Sequence, residues 1–88
     1  MISNHLRYFI EVADQKSFTK AAEKLYISQS TISKAVASLE TELQTSLFEH
    51  GKRNFALTPS GKLLYAFATD VLNYYNSQEK ALLKKKKK

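Results

Sequence analysis

Two short stripes of apolar residues at helical spacing, separated by a two-residue break, constrain this chain more than any other feature of its sequence. Both stripes recur at intervals of three or four residues, as on one face of an α-helix. They consist of Phe18, Ala21, Ala22 and Leu25, and then of Ile32, Val36, Leu39 and Leu43. Ser17 and Ser28 precede the two segments, where a serine hydroxyl accepts from a first-turn N–H. The pattern predicts two helices that meet at a tight turn and pack against a common core.

The side of the second helix that faces away from its apolar stripe has short or polar side chains. A rotation of about 100° per residue places on that side Ser30, Lys34, Ala37 and Thr41, flanked by Gln29 and Ser33. Small side chains let a helix come close to a groove of DNA, while amide, hydroxyl and ammonium groups contact base edges or phosphates. The alternative is an ordinary solvated helix face, and the preceding helix at this spacing favours DNA.

Composition excludes several other classes of protein. The formal net charge is +6, but Lys84–Lys88 contribute five of these charges, so evidence for nucleic-acid binding must come from local charge placement. There is no cysteine, and His5 and His50 are the only histidines, so we expect no metal and no cofactor. Without a glycine-rich phosphate loop, a thiol or a carboxylate–histidine cluster, we expect no enzyme. No membrane span or signal peptide is evident, which predicts a cytoplasmic protein.

A third amphipathic segment precedes the two helices. Its apolar residues have the same helical spacing and are Leu6, Phe9, Ile10 and Ala13. The helix should begin near Ser3 or Asn4, since either residue can cap it. Together the three segments predict a three-helix core in a mainly α domain.

The sequence after Leu43 changes to short alternating segments. Residues 47–49 and 54–57 resemble two short strands, and Gly51 between them can adopt the positive φ that a tight hairpin needs. The segments predict a β-hairpin wing that places Lys52 and Arg53 against a phosphate backbone or a minor groove. A solvated turn with no contact to DNA is the alternative.

A long helix is predicted from Pro59 to Leu83, with Thr58 as its cap. It is too long for so small a core to cover, and its spacing of three and four residues is that of a coiled-coil seam. That seam, which we expect to form a homodimer interface, consists of Leu64, Phe67, Val71, Tyr74 and Gln78. Packing within the helix's own subunit is the alternative. The predicted organisation is a winged helix-turn-helix at 1–58, a linker and dimerisation helix at 59–83, and a disordered lysine tail at 84–88.

Taken together, these residues resemble the N-terminal DNA-binding domain of LysR-type transcriptional regulators. The resemblance extends to about Tyr75 and depends on Leu6–Phe9, Ser17–Ala22, Leu25, Ser28, Gln29, Ser33, Leu39, Glu40, Leu43, Leu47, Phe48, Leu57, Thr58 and Gly61. It implies a bacterial homodimer that places one recognition helix per subunit in successive major grooves of double-stranded DNA. It also implies an effector-binding domain in the full protein, which this chain does not include.

The resemblance further implies which residues contact DNA. They are Gln29, Ser30, Thr31, Ser33 and Lys34 on the recognition helix, with Lys52 and Arg53 on the wing. Of these, Gln29 is expected to pair with adenine, and Thr31 to contact a phosphate.

Three positions depart from the family's usual pattern. Ser30 replaces a common proline, His50 a usual arginine, and Gln44 a common helix-ending glycine. Without that glycine, we expect the recognition helix to end in a 3₁₀ turn or to run on.

A winged helix that binds proteins instead of DNA is the alternative function, and it would need exposed apolar anchors on the recognition face.

Overall fold

The computed structural model describes residues 4–49 and 55–86, with side chains to residue 82. Four α-helices lie within these ranges, α1 (Asn4–Gln15), α2 (Phe18–Leu25), α3 (Gln29–Leu43) and α4 (Pro59–Lys86). Helices α1, α2 and α3 pack against one another, and α4 packs against α1. The helices begin where the sequence predicts, and α4 ends at Lys86 instead of Leu83.

Two serine caps set where α2 and α3 begin. The Ser17 hydroxyl accepts a hydrogen bond from the Lys20 N–H at 3.0 Å, and the Ser28 hydroxyl accepts one from the Thr31 N–H at 3.1 Å. Each cap satisfies a backbone donor that has no partner within its helix, and such a cap contributes about 1 kcal/mol.

Left-handed residues end the first three helices, and none of them is glycine. Lys16, Tyr26 and Gln44 have φ angles of 56°, 57° and 56°. At the end of α3, the Gln44 N–H donates to the Thr41 carbonyl at 3.2 Å, and the Thr45 N–H donates to the Glu40 carbonyl at 3.1 Å. This is a Schellman motif. The expectation that α3 would end in a 3₁₀ turn or run on is therefore wrong, because Gln44 adopts the conformation that glycine usually supplies.

The core lies between α1, α2, α3, the segment that follows α3 and one side of α4. Its buried side chains are Phe9, Ile10, Val12, Ala21, Ala22, Ile32, Val36, Leu39, Leu47, Phe48 and Ala68. Phe48 is in contact with three other rings, with centroid distances of 5.4 Å to Phe9, 5.5 Å to Phe18 and 5.0 Å to Phe55. Tilted and edge-on ring pairs at such distances are favourable beyond their buried area. The aromatic cluster therefore fixes the start of the predicted wing to α1 and α2.

The two legs of the predicted wing meet at their base. Phe48 and Leu57 form an antiparallel bridge, and the Glu49 N–H donates to the Ala56 carbonyl at 2.9 Å. The predicted tip, with Gly51, lies outside the described residues.

Helix α4 begins in tight contact with the segment after α3. The Thr58 hydroxyl accepts from the Gly61 N–H at 2.9 Å and donates to the Ser46 carbonyl at 2.6 Å. The Thr58 N–H donates to the Leu47 carbonyl at 3.0 Å. Gly61 is buried against that same carbonyl, and a Cβ at this position would lie 2.1 Å from the carbonyl oxygen. Thr58 caps α4 as predicted, and Gly61 is required because nothing larger fits.

A second contact, farther along α4, joins it to the end of α1. The Tyr65 hydroxyl donates to an Asp14 carboxylate oxygen at 2.5 Å. This hydrogen bond, with smaller contributions from burial and from the Asp14 charge, raises the pKa of Tyr65 above its usual value. The bond is therefore intact below the ordinary pKa of tyrosine, and its stabilising effect disappears as the pH rises through the higher folded-state value.

Helix α4 has apolar residues on two sides, one that packs on the core and one that is exposed. Leu64, Tyr65 and Leu72 pack against the core, while a second apolar stripe faces outward. Its exposed members are Leu63, Phe67, Tyr74 and Leu82. This stripe includes Phe67 and Tyr74 of the predicted seam, and Gln78 is also exposed, but Val71 is half-buried. Leu64, which also belongs to the predicted seam, packs against the core of its own subunit.

Replacing Gly61 with alanine should lower the free energy of unfolding by about 1–3 kcal/mol, since the new methyl group would force α4 away from Leu47. Urea denaturation measures this change. The control is Ser77→Ala at an exposed position of α4, which should leave stability nearly unchanged. Equal stability of Gly61→Ala and the unaltered chain would contradict the close approach.

Candidate nucleic-acid interface

Helix α3 has one side buried in the core and the opposite side exposed to solvent. Ile32, Val36 and Leu39 are buried. The exposed side, called here the outer face, consists of Gln29, Ser30, Ser33, Lys34, Ala37 and Thr41. The helical spacing predicts this division correctly for Ile32, Val36 and Leu39, but it is wrong for Leu43, which lies at the end of α3 and is 47% exposed.

The charge along α3 is distributed unevenly. Its first turn contains no acidic residue, and Lys34 follows in the second turn. The first carboxylates along the helix are those of Glu40 and Glu42, near its other end. The beginning of a helix has a partial positive charge and free N–H groups, which favour anions such as phosphate. The first half of α3 is therefore suited to approach a polyanion.

The predicted contact residues on α3 differ in whether their side chains make hydrogen bonds within the chain. Ser30, Ser33 and Lys34 are exposed, and their side chains make no hydrogen bond or ion pair with other described residues. The Thr31 hydroxyl lies 2.8 Å from the Ser28 hydroxyl, so it belongs to the cap of α3. The Gln29 carbonyl oxygen accepts a hydrogen bond from the Thr19 hydroxyl at 3.0 Å.

The structure brings two residues to this face that the sequence pattern does not single out. Thr19 reaches it from the first turn of α2. His5, at the start of α1, lines an open groove along α3 together with Lys34, Ala37, Ser38, Thr41 and Glu42. Thr19 belongs to the Ser17–Ala22 segment of the family resemblance but to no apolar stripe, and His5 belongs to neither, so only the packing of the helices brings them to this face.

The remaining predicted contacts, Lys52 and Arg53, lie outside the described residues, as does His50. Their neighbours Glu49 and Phe55 are described and lie at the base of the predicted wing. Within residues 4–49 and 55–86, the structure contains no group of three residues suited to hold a metal ion. Within the same ranges, no helix is long and apolar enough to cross a membrane.

Two capped helices joined by a tight turn, with a third helix behind them and a bridged segment after them, define the winged helix-turn-helix class. The family comparison agrees with this class. Residues 3–62 match the model of the family described as "Bacterial regulatory helix-turn-helix protein, lysR family". The chain therefore belongs to the LysR family of bacterial regulators.

Curated relatives support the assignment. The chain is 45% identical over 69 residues to the HTH-type transcriptional regulator BenM of Acinetobacter baylyi, covering 78% of this chain and 23% of the relative. It is also 45% identical over 70 residues to CysL of Bacillus subtilis, covering 80% and 23%. The chain thus spans about a quarter of the length of these relatives.

Solved structures show the same fold. The chain superposes on a BenM DNA-binding domain in complex with catB site 1 DNA with a TM-score of 0.89 and 38% identity, over 96% of this chain and 94% of that one. A full-length OxyR from Pseudomonas aeruginosa gives a TM-score of 0.84 and 35% identity, over 94% of this chain and 28% of that one. The similarity to the BenM domain covers α4 as well as the three-helix core.

Proposed function

We propose that this chain binds double-stranded DNA in a sequence-specific way, as the DNA-binding domain of a LysR-type transcriptional regulator. The observation that carries the proposal is the outer face of α3, which is exposed, polar and free of carboxylates over its first half. The similar BenM domain was crystallised with DNA, which supports the same partner class for this chain.

On this proposal, the first two turns of α3 enter a major groove. Lys34 contacts a base edge or a phosphate, and Ser30 and Ser33 donate or accept there according to the base. The cations of Lys52 and Arg53 contact the backbone beside the groove. Ser30 retains a backbone N–H and adds a hydroxyl, so the contacts at this position differ from those of a relative with proline.

A protein-binding winged helix would present large apolar side chains on the same face. The outer face has Ala37 as its apolar member, whereas the exposed Tyr26 and Leu43 lie at the ends of α2 and α3. Interface hot spots are enriched in large aromatic side chains. The composition of the outer face therefore favours DNA.

We also propose that two copies pair through α4. Leu63, Phe67 and Tyr74 are 75%, 60% and 68% exposed, and they form one stripe on a helix that the core covers only on its other side. A row of exposed large apolar residues marks a protein interface. Two-fold pairing would place two α3 helices on one side of the dimer, so a nearly palindromic site is expected. Because the chain belongs to the LysR family, we further propose an effector-binding domain in the full-length protein.

Replacing Lys34 with alanine should weaken binding about tenfold to a duplex enriched from a random pool by the unaltered chain, because a cation is lost where the helix meets DNA. Fluorescence anisotropy at several salt concentrations measures affinity and its salt dependence. Lys24→Ala removes the same charge from an exposed site that pairs with Glu11 and should change affinity little. Equal losses in both variants, or no salt dependence, would contradict the proposed contact.

Replacing Phe67 with aspartate should raise the dissociation constant of the dimer at least about tenfold, because a charge would enter the apolar stripe. Analytical ultracentrifugation over a range of concentrations measures it. Asn73→Asp adds the same charge on another exposed side of α4 and should leave the dimer intact. If the unaltered chain is monomeric, or if both variants behave alike, pairing through this stripe is wrong.

A further inference from the structure

A side chain of α2 is hydrogen-bonded to the first polar side chain of the outer face of α3. Thr19 lies in the first turn of α2, and its hydroxyl donates to the carbonyl oxygen of Gln29 at 3.0 Å. Gln29 is the first residue of α3. The bond therefore joins the beginnings of the two helices of the helix-turn-helix, on the side that faces solvent.

Both ends of this bond have a defined position. Ser17 caps α2 two residues before Thr19, and Ser28 caps α3 one residue before Gln29. Threonine is β-branched, so its hydroxyl has few rotamers in a helix. The carbonyl oxygen of Gln29 thus turns back towards α2, and its amide nitrogen makes no hydrogen bond with a described residue.

The orientation of this amide decides which base it recognises. A glutamine with both atoms free pairs with adenine, accepting from N6 and donating to N7. The carbonyl oxygen has two lone pairs and Thr19 uses one, so what matters is the direction of the amide. Pairing with adenine needs the oxygen and the nitrogen to face the base together, whereas a glutamine whose oxygen is turned towards α2 faces the base with its N–H donors, which match O6 and N7 of guanine or O4 of thymine. The N6 amino group of adenine is itself a donor and would face the amide nitrogen.

We propose that Thr19 is a positioning residue that sets the base preference of Gln29. Thr19 holds the amide so that Gln29 favours guanine or thymine, in place of the adenine that its residue type alone predicts. This inference rests on the proposed DNA-binding function and deepens it.

Substitutions can separate the positioning role of Thr19 from a role in stabilising the fold. Thr19 and Gln29 are both exposed, so removing the bond opens no cavity and leaves no buried polar group without a partner. Thr19→Val preserves the shape of the side chain and removes the hydroxyl. Thr19→Ser retains the hydroxyl.

The experiment selects bound sequences from a random duplex pool with four proteins, the unaltered chain, Thr19→Val, Thr19→Ser and Gln29→Ala. Gln29→Ala identifies the base position that Gln29 contacts, since the preference there should disappear. At that position, the unaltered chain and Thr19→Ser should favour guanine or thymine. Thr19→Val should shift the ratio of adenine to those bases at least about threefold, as expected for one lost hydrogen bond, and leave the other positions and the melting temperature unchanged.

Several results would overturn the inference. They are a Thr19→Val profile identical to that of the unaltered chain, a preference for adenine in the unaltered chain, and a Gln29→Ala profile that changes at no position. A chain that enriches no sequence at all contradicts the proposed function as well, so the two failures are distinguishable.

Discussion

Ile32, Val36 and Leu39 hold α3 against the rest of the core, and the direction of the outer face depends on that packing. Truncating one such buried aliphatic side chain to alanine typically costs about 2–5 kcal/mol, whereas losing a serine cap costs about 1 kcal/mol. The core therefore determines how α3 is rotated, and the caps determine where it begins. Once the inner face is buried, Ser30, Ser33 and Lys34 are exposed as a consequence.

Leu47 connects this unit to α4. Its side chain is fully buried, its N–H donates to the Glu40 carboxylate at 2.8 Å, and its carbonyl accepts from Thr58. Gly61 packs against the same carbonyl. One short segment thus fixes the end of α3, the base of the predicted wing and the start of α4. In a dimer formed through α4, these contacts would set the orientation of each α3 helix relative to the dimer interface.

The sequence was sufficient for features that depend on neighbours along the chain. The helix starts at Phe18, Gln29 and Pro59 follow from Ser17, Ser28 and Thr58, since a cap acts within one turn. Helical spacing likewise separates the buried and exposed sides of α3 as far as Leu39, whereas Leu43 is exposed. The end of α3 was not predictable in the same way, because Gln44 accepts a left-handed conformation that residue type alone disfavours.

Features that depend on contacts between distant residues were not predictable from the sequence. The Thr19–Gln29 bond joins two helices, and the position of His5 beside Lys34 depends on how α1 crosses α3. Spacing alone also placed Leu64 in the same seam as Phe67, although Leu64 packs on its own core. Periodicity indicates which residues share a side of a helix, but the packing of the other helices decides which side is covered.

On the proposed function, the first half of α3 contacts DNA, independently of the lysine-rich terminus that carries most of the net charge. Titrating the isotopically labelled chain with an enriched duplex, and following each backbone amide by NMR, shows which residues the duplex contacts. We expect the largest changes in chemical shift between Gln29 and Ala37, with smaller ones near Thr19. Changes confined to Lys84–Lys88, with α3 unaffected, would contradict it.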